Sequence, residues 1–330
     1  MRVKFVQNQP HCFAFGGFEI QMLSTLQAVQ EAKVNADKLD PWSRDDNFDI
    51  VHLWGLELNH YKVLHFAKKA GKKVLVTALF DSYATPYKKL RHLISSKVYK
   101  ARLLKEMAFT IDKVVVINEL EIGIAHKYFD IPYKKISLIP IIINDAFFEH
   151  TDRKIPFNGL TNYVLCTGNI CQRKNQLALV KACKKAGLNL VLMGNVLEGE
   201  ERYADQVEAE MDIKTMIWLK GVKENSSELI AAYQNCAVFA LVSFMENSPI
   251  GAFEALASGC KVVLADRNYS YQSFFRNVER VNPNSVEDIA EGILKTISKE
   301  SYPSSISLMG ECKSYEVGAK YKNLYSSLSS

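Results

Sequence analysis

Short apolar runs alternate with amphipathic stretches along almost the whole chain. Runs rich in Val, Ile and Leu at residues 3–6, 50–53, 73–78, 113–117 and 136–139 read as buried strands. Between them, apolar residues return every three or four positions, which predicts helices over 17–31, 56–70, 87–107 and 119–128. Residues 145–160 are polar, carry Pro156 and Gly159, and read as a linker. A second series follows, with strands at 163–167, 188–193, 216–219, 237–242, 261–264 and 280–281. Its helices are predicted at 175–186, 202–210, 226–235, 249–258 and 286–297. After a turn-rich break at 301–307, a last helix over 313–328 carries Tyr315, Tyr321 and Tyr325 and is expected to pack on the protein. Strand–helix alternation of this kind is the pattern of doubly wound α/β domains. The chain therefore divides into a Rossmann-like domain over 1–150, a second over 151–310, and a helix over 311–330 expected to return toward the first. A ligand cleft is expected between the domains, at the carboxyl ends of both sheets.

Composition narrows the class. With 48% hydrophobic and 23% charged residues, the 330-residue chain has a soluble globular balance. Its seven cysteines (12, 166, 171, 183, 236, 260 and 312) form no CxxC pair and no Cys/His cluster of zinc spacing. Several fall in apolar runs, as buried reduced thiols of a cytoplasmic protein do. Residues 1–6 pass straight into a strand, so no secretory leader is expected, and no apolar run nears the ~20 residues that span a bilayer.

The net charge of +5 conceals an asymmetry, because residues 62–135 hold sixteen Lys/Arg against six Asp/Glu. Within them, 87–105 has seven basic residues and no acid, and an apolar stripe at Leu90, Leu93, Ile94, Val98, Ala101 and Leu104. The segment from Lys88 to Lys105 has two readings. It is either an ordinary packed helix with a wet face, or a helix that docks on anionic lipid at the inner face of the cytoplasmic membrane. No nucleic-acid reader motif accompanies it.

The chemistry is concentrated in Glu246-Asn247-Ser248-Pro249-Ile250-Gly251-Ala252-Phe253-Glu254. The run follows an apolar strand and opens a helix, with Ser248 as its expected N-cap and Pro249 at its first position. The helix start then points out of the carboxyl end of a strand, and its free N–H groups favour an anion such as a diphosphate. The other conspicuous pair is Arg173-Lys174. Two cations at a helix start are electrostatically unfavourable for the helix, which argues for a use beyond solvation.

In these residues the chain resembles the retaining GT-B glycosyltransferases of the family 4, or group 1, type. The run from Thr167 to Gln176 is similar to that family's glycine turn with its Arg-Lys pair, Leu190 to Gly194 to its second donor-domain strand, and Gly221-Val222 with 229–233 to its base-holding region. The two-glutamate run through Gly259 is similar to its signature, and Phe15-Gly16-Gly17-Phe18-Glu19 to its Gly-Gly loop. The resemblance implies that Glu254 binds ribose hydroxyls, Glu246 the donor sugar, and Arg173 and Lys174 the leaving diphosphate. It implies donor contacts at Gly16, Gly17, Gly168, Val222, Asn247, Ser248, Pro249, Ile250 and Gly251, and an acceptor side at His52 and Asp81.

Two departures fall on the acceptor side. Val76 to Tyr83 lacks the histidine many members carry, and Pro140-Ile141-Ile142-Ile143-Asn144 stands where Pro-Asn-Gly is usual. No Asp-x-Asp pair lies in a suitable loop, so no metal or cofactor is expected. The implied activity is a retaining, metal-independent transfer of a sugar from a nucleotide-diphosphate sugar, with UDP slightly favoured, to a saccharide acceptor. The resemblance implies a lipid-linked acceptor, in lipopolysaccharide, O-antigen or capsule-type synthesis. A nucleotide-sugar epimerase of similar fold and a non-catalytic nucleotide-sugar-binding subunit are the alternatives.

Overall fold

The computed structural model describes residues 1–13, 16–80, 99–149, 157, 159–300 and 306–329. In chain order its strands are β1 (Arg2–Val6), β2 (Asn35–Lys38), β3 (Ile50–Trp54), β4 (Lys73–Thr77), β5 (Lys113–Val116), β6 (Ile136–Leu138), β7 (Tyr163–Thr167), β8 (Asn189–Met193), β9 (Met216–Leu219), β10 (Val238–Leu241), β11 (Val262–Ala265) and β12 (Glu279–Val281). Its helices of eight or more residues are α1 (Gly17–Glu31), α2 (Tyr61–Lys69), α3 (Tyr99–Thr110), α4 (Glu119–Phe129), α5 (Gln176–Ala186), α6 (Glu201–Glu210), α7 (Ser227–Asn235), α8 (Ile250–Ala257), α9 (Val286–Ile297) and α10 (Ser314–Ser329). Among the described residues no helix is long and apolar enough to cross a membrane. Most of the basic segment Lys88–Lys105, with its two readings, lies outside the described residues, which take up the predicted helix only from Tyr99.

Two compact units form: Met1–Ile142 together with Glu311–Ser330, and Ile143–Gly310. The first holds a parallel sheet in the order β2-β1-β3-β4-β5-β6. Alternation along its central strands divides the core into two layers. Leu75 and Val115 face a cluster built with Met22, Leu26 and Val29 of α1 and Val317, Tyr321 and Tyr325 of α10. Val74, Val76, Val114 and Val116 face the opposite layer, with Leu64 of α2 and Met107 and Ala108 of α3. α10 lies against α1 so closely that a Cβ on Gly318 would stand 2.5 Å from the Ala28 carbonyl oxygen.

Two features differ from the sequence expectation. β2 is an edge strand of sequence Asn-Ala-Asp-Lys with only Ala36 buried, so it carries no apolar alternation to read. The run expected as a linker contributes core to the second unit: Phe147 is fully buried edge-on to Tyr233 at 5.6 Å, and Phe157 edge-on to Tyr163 at 5.2 Å.

The second unit's sheet runs β12-β11-β10-β7-β8-β9, all parallel. From β7 the chain winds outward through β8 and β9; from β10 it winds the other way. β7 and β10 are neighbours, with Val238 opposite Val164. Their carboxyl ends form the switch point, where the connecting loops diverge to opposite faces and leave a crevice.

Candidate active site at the switch point of the second unit

Two loops build the site, one after β7 and one after β10. β7 ends at Thr167, and Gly168 follows with φ +116°, a conformation that favours glycine. A Cβ on Gly168 would meet Lys174 Nζ at 2.9 Å, so the lysine side chain lies over this glycine. Gly194, after β8, approaches from the other side; a Cβ there would stand 2.2 Å from the Gly168 carbonyl oxygen. Arg173 and Lys174 sit on a 3-10 turn, Gln172–Lys174, and not on the helix itself. Asn175 ends the turn in the left-handed region at φ 60°, and its side-chain amide donates to the Pro283 carbonyl at 2.8 Å. The pair is thereby set just outside α5, free of the penalty of cations inside its first turn.

The loop after β10 supplies Glu246. Its Oε1 takes Arg173 Nη1 at 2.9 Å, Lys174 Nζ at 3.0 Å and the Ser243 hydroxyl at 3.0 Å. Arg173 Nη1 also donates to the Met245 carbonyl at 2.6 Å, and the Phe244 N–H donates to the Arg173 carbonyl at 2.9 Å. Burial pushes the Glu246 carboxyl up, but Lys174 first and then Arg173 more than offset it, and the group sits below the usual carboxylate range. The three residues assigned to catalysis by resemblance thus form one charge cluster. Its side chains are 40% exposed at Arg173, 15% at Lys174 and 11% at Glu246.

The helix after this loop begins at Ile250, with Pro249 in the N-cap position and no side-chain cap. This corrects the expectation of a Ser248 cap with Pro249 as first helical residue. Asn247 is tied by its carbonyl, which accepts from Gln272 Nε2 at 2.6 Å. Gly251 has a packing reason: a Cβ there would stand 2.5 Å from Thr167 Oγ1 and 3.1 Å from the Tyr233 hydroxyl. Glu254, in the second turn, accepts from the Tyr233 hydroxyl at 2.8 Å. Burial, with a contribution from Glu224, pushes its carboxyl up to about 7, against the Tyr233 hydrogen bond, which lowers it. Val222 follows Gly221, whose N–H donates to Asn195 Oδ1 at 2.7 Å in the loop after β8.

The remaining expected residues belong to the first unit. Gly16 is the extended N-cap of α1, its N–H donating to Glu19 Oε2 at 3.0 Å, and Gly17 opens the helix; Phe15 lies outside the described residues. His52 does not face a site. It is fully buried, with Nδ1 2.8 Å from the Tyr325 hydroxyl and Nε2 2.8 Å from Thr77 Oγ1, and burial lowers its pKa to about 3. Position 52 falls mid-strand on the face that α10 covers, so its ring ends in the core. Asp81 lies outside the described residues.

Tyr233 holds Glu254, Thr167 bonds Tyr233 in turn, and Ser243 holds Glu246; sequence reasoning assigned none of the three a role of its own. Tyr233 closes the run 229–233 that resembles the base-holding region and Thr167 opens the run that resembles the glycine turn, whereas nothing in the sequence marks Ser243. Among the described residues, no three His, Cys, Asp or Glu side chains gather as metal ligands would.

The arrangement suits an anion. Two cations, a glycine turn and the N–H groups at the start of α8 converge at the switch point, with a carboxylate on either side able to accept hydroxyl hydrogen bonds. Residues 147–310, nearly the whole second unit, match the family of glycosyl transferases group 1. No curated protein matches the chain by sequence. Sucrose-phosphate synthase (tll1590) from Thermosynechococcus elongatus is similar over 99% of this chain and 98% of its own, with TM-score 0.77 and 15% identity. Anabaena Alr3699/HepE in complex with UDP is similar over 99% and 100%, with TM-score 0.76 and 14% identity. The lipopolysaccharide outer core galactosyltransferase WaaB, in its apo form, is similar over 99% and 99%, with TM-score 0.68 and 14% identity. At these identities the likeness establishes the fold, which is of the GT-B type.

Proposed function

We propose that the protein is a retaining, metal-independent glycosyltransferase of the family 4 type. It moves a sugar from a UDP-sugar to a saccharide acceptor carried on a membrane lipid, in the assembly of a cell-surface polysaccharide. The observation that carries this reading is the convergence of Arg173 and Lys174 on one carboxylate oxygen of Glu246 at the switch point, just ahead of the helix that holds Glu254. The family match of the same unit supports it. The UDP held by the Anabaena protein supports the choice of nucleotide, and the lipopolysaccharide-directed neighbour supports the class of acceptor.

In this reading Gly168 and the start of α8 cradle the diphosphate, Val222 borders the base, Glu254 accepts from ribose hydroxyls and Glu246 from the donor sugar. The anomeric C–O bond breaks as the acceptor oxygen bonds to the same face of the carbon, and the acceptor proton passes to the leaving phosphate. Negative charge grows on the diphosphate, and Arg173 and Lys174 stabilise it most where it is greatest. Arg173 acts as a planar fork and Lys174 as a point charge, taking the part a metal plays in other transferases. The basic segment Lys88–Lys105 holds the protein to anionic lipid on the cytoplasmic side of the membrane.

Thermal shifts with UDP, GDP, ADP and CDP test the donor side. A nucleotide at about 100 times its Kd stabilises the fold by about 2.7 kcal/mol, and UDP is expected to do so most. Proton NMR of the product then reads the anomeric configuration, expected to match the donor's. No stabilisation by any of the four nucleotides overturns the reading; an inverted product overturns retention alone.

A further inference from the structure

The side chain of Tyr233 is fully buried, yet its hydroxyl stands between two parts of the candidate site. It donates to Glu254 Oε2 at 2.8 Å and lies 2.7 Å from Thr167 Oγ1. A phenol has one proton. With that proton directed at the carboxylate, the Thr167 hydroxyl must be the donor in the second bond. The ring is held by Phe147, edge-on at 5.6 Å, and Phe239 at 5.7 Å. The main chain is held as well: the Tyr233 carbonyl accepts from the Cys260 thiol at 3.0 Å, and the carbonyl before it accepts from the Tyr163 hydroxyl at 2.7 Å. Gly251, one turn ahead of Glu254, leaves room for this link, because a Cβ would stand 2.5 Å from Thr167 Oγ1.

We propose that Tyr233 is a positioning residue for the nucleotide: it takes up Oε2 of Glu254 so that Oε1 accepts from the ribose hydroxyls, and through Thr167 it couples that carboxylate to the Gly168 phosphate turn. The proposal rests on the reading of Glu254 as the ribose-binding carboxylate. A half-buried carboxylate with one fixed donor has one oxygen left in a defined direction, whereas one without that donor turns and is harder to ionise. The groups that bear on Glu254 are Tyr233 from α7, Thr167 through Tyr233, and Glu224 from the loop ahead of α7.

The test is UDP affinity by calorimetry from pH 5.5 to 8.5 for the full chain and its Tyr233→Phe, Thr167→Val and Glu254→Gln variants. Phenylalanine keeps the ring and its packing, and melting curves establish that each variant is folded. In the wild type, affinity should fall as pH drops through about 7, since the ionised carboxylate is the stronger acceptor. The UDP phosphate also titrates, near pH 6, and Glu254→Gln retains that component alone. Tyr233→Phe removes a donor that favours the ionised form. Its midpoint should therefore move to higher pH, with affinity at pH 7 lower by about five- to tenfold and largely restored at pH 8.5. Thr167→Val should shift it in the same direction by less. A Tyr233→Phe variant with wild-type affinity and midpoint overturns the positioning role, while a weakened Glu254→Gln in the same experiment leaves the ribose assignment standing. A Glu254→Gln variant that binds UDP like the wild type overturns both.

Discussion

Three donors meet on one oxygen of Glu246, and they are not equivalent. Lys174 is 15% exposed and lies over the Gly168 turn, whereas Arg173 is 40% exposed and shares its Nη1 with a backbone carbonyl. If both stabilise the leaving diphosphate, alanine at either position should lower kcat more than it raises KM, with Lys174→Ala the larger effect at about 10²–10³-fold. Steady-state kinetics decides it; unchanged kcat with a raised KM would reduce the pair to uniform binding. A second acid makes its point through stability. Glu121, at the start of α4, is 2% exposed and accepts from the Ile117 N–H at 2.9 Å, and burial pushes its carboxyl up to about 8 against its backbone hydrogen bonds. Between pH 4.5 and about 8 the folded state holds a proton that the unfolded chain releases, so this group's contribution falls as pH rises through that window. Glu121→Gln keeps an acceptor for the N–H and loses the titration. It should match the wild type at pH 4 and exceed its unfolding free energy by on the order of 2 kcal/mol at pH 8, measured by urea titration.

At the scale of elements, α10 is clamped by a chain of side chains. Tyr321 and Tyr325, four apart on one face, close a line running Tyr325–His52–Thr77–Tyr321, each link 2.8 Å. A neutral imidazole has one N–H, and the line is satisfied with its protons running in either direction. Burial holds His52 near pKa 3, while an unfolded histidine titrates near 6.5. The unfolded state therefore binds more protons between those values, and the clamp is fully effective above about 6.5 and weakens as pH falls. Hydrogen-exchange protection factors of Ser314–Ser329 should drop from pH 7 to pH 5, more than those of α9 in the other unit; equal behaviour of the two helices would refute the clamp. The packing role of α10 is legible in its tyrosine spacing. That a strand histidine completes its hydrogen bonds is not, since position 52 and position 325 meet only through the fold.

At the scale of the whole molecule, the chain leaves the first unit after Ile142 and re-enters it at Glu311, so the first unit is built from both ends of the sequence. Truncation before Glu311 removes Val317, Tyr321, Tyr325 and Leu328 from a core that also holds Met22, Leu26, Leu75 and Val115. Loss of several large buried side chains at a few kcal/mol each exceeds the ordinary stability of a domain. The truncated chain should lose the cooperative melting of the first unit and retain that of the second, together with its UDP-dependent stabilisation; a single unchanged transition would refute this division.

Local patterns were enough to determine most of the architecture. Strand and helix periods, the Gly168 turn and the apolar β10 followed by Pro249 lie within short windows, and the periods alone mark eleven of the twelve strands among the described residues, whereas the meeting of Arg173 and Lys174 with Glu246 came from the fold. β2 escaped because a polar edge strand buries one side chain and leaves no period. Tertiary structure alone decided the rest. Phe147 and Phe157 became core of the second unit although their surroundings are polar, because burial depends on what packs against a residue and not on its neighbours in sequence. His52 lost its expected place on the acceptor side because its two partners are 25 and 273 residues away. The link from Thr167 through Tyr233 to Glu254 joins groups 66 and 21 residues apart. Hydrogen bonds of that reach have no signature in composition or spacing; they exist only once the two sides of the switch point are folded together.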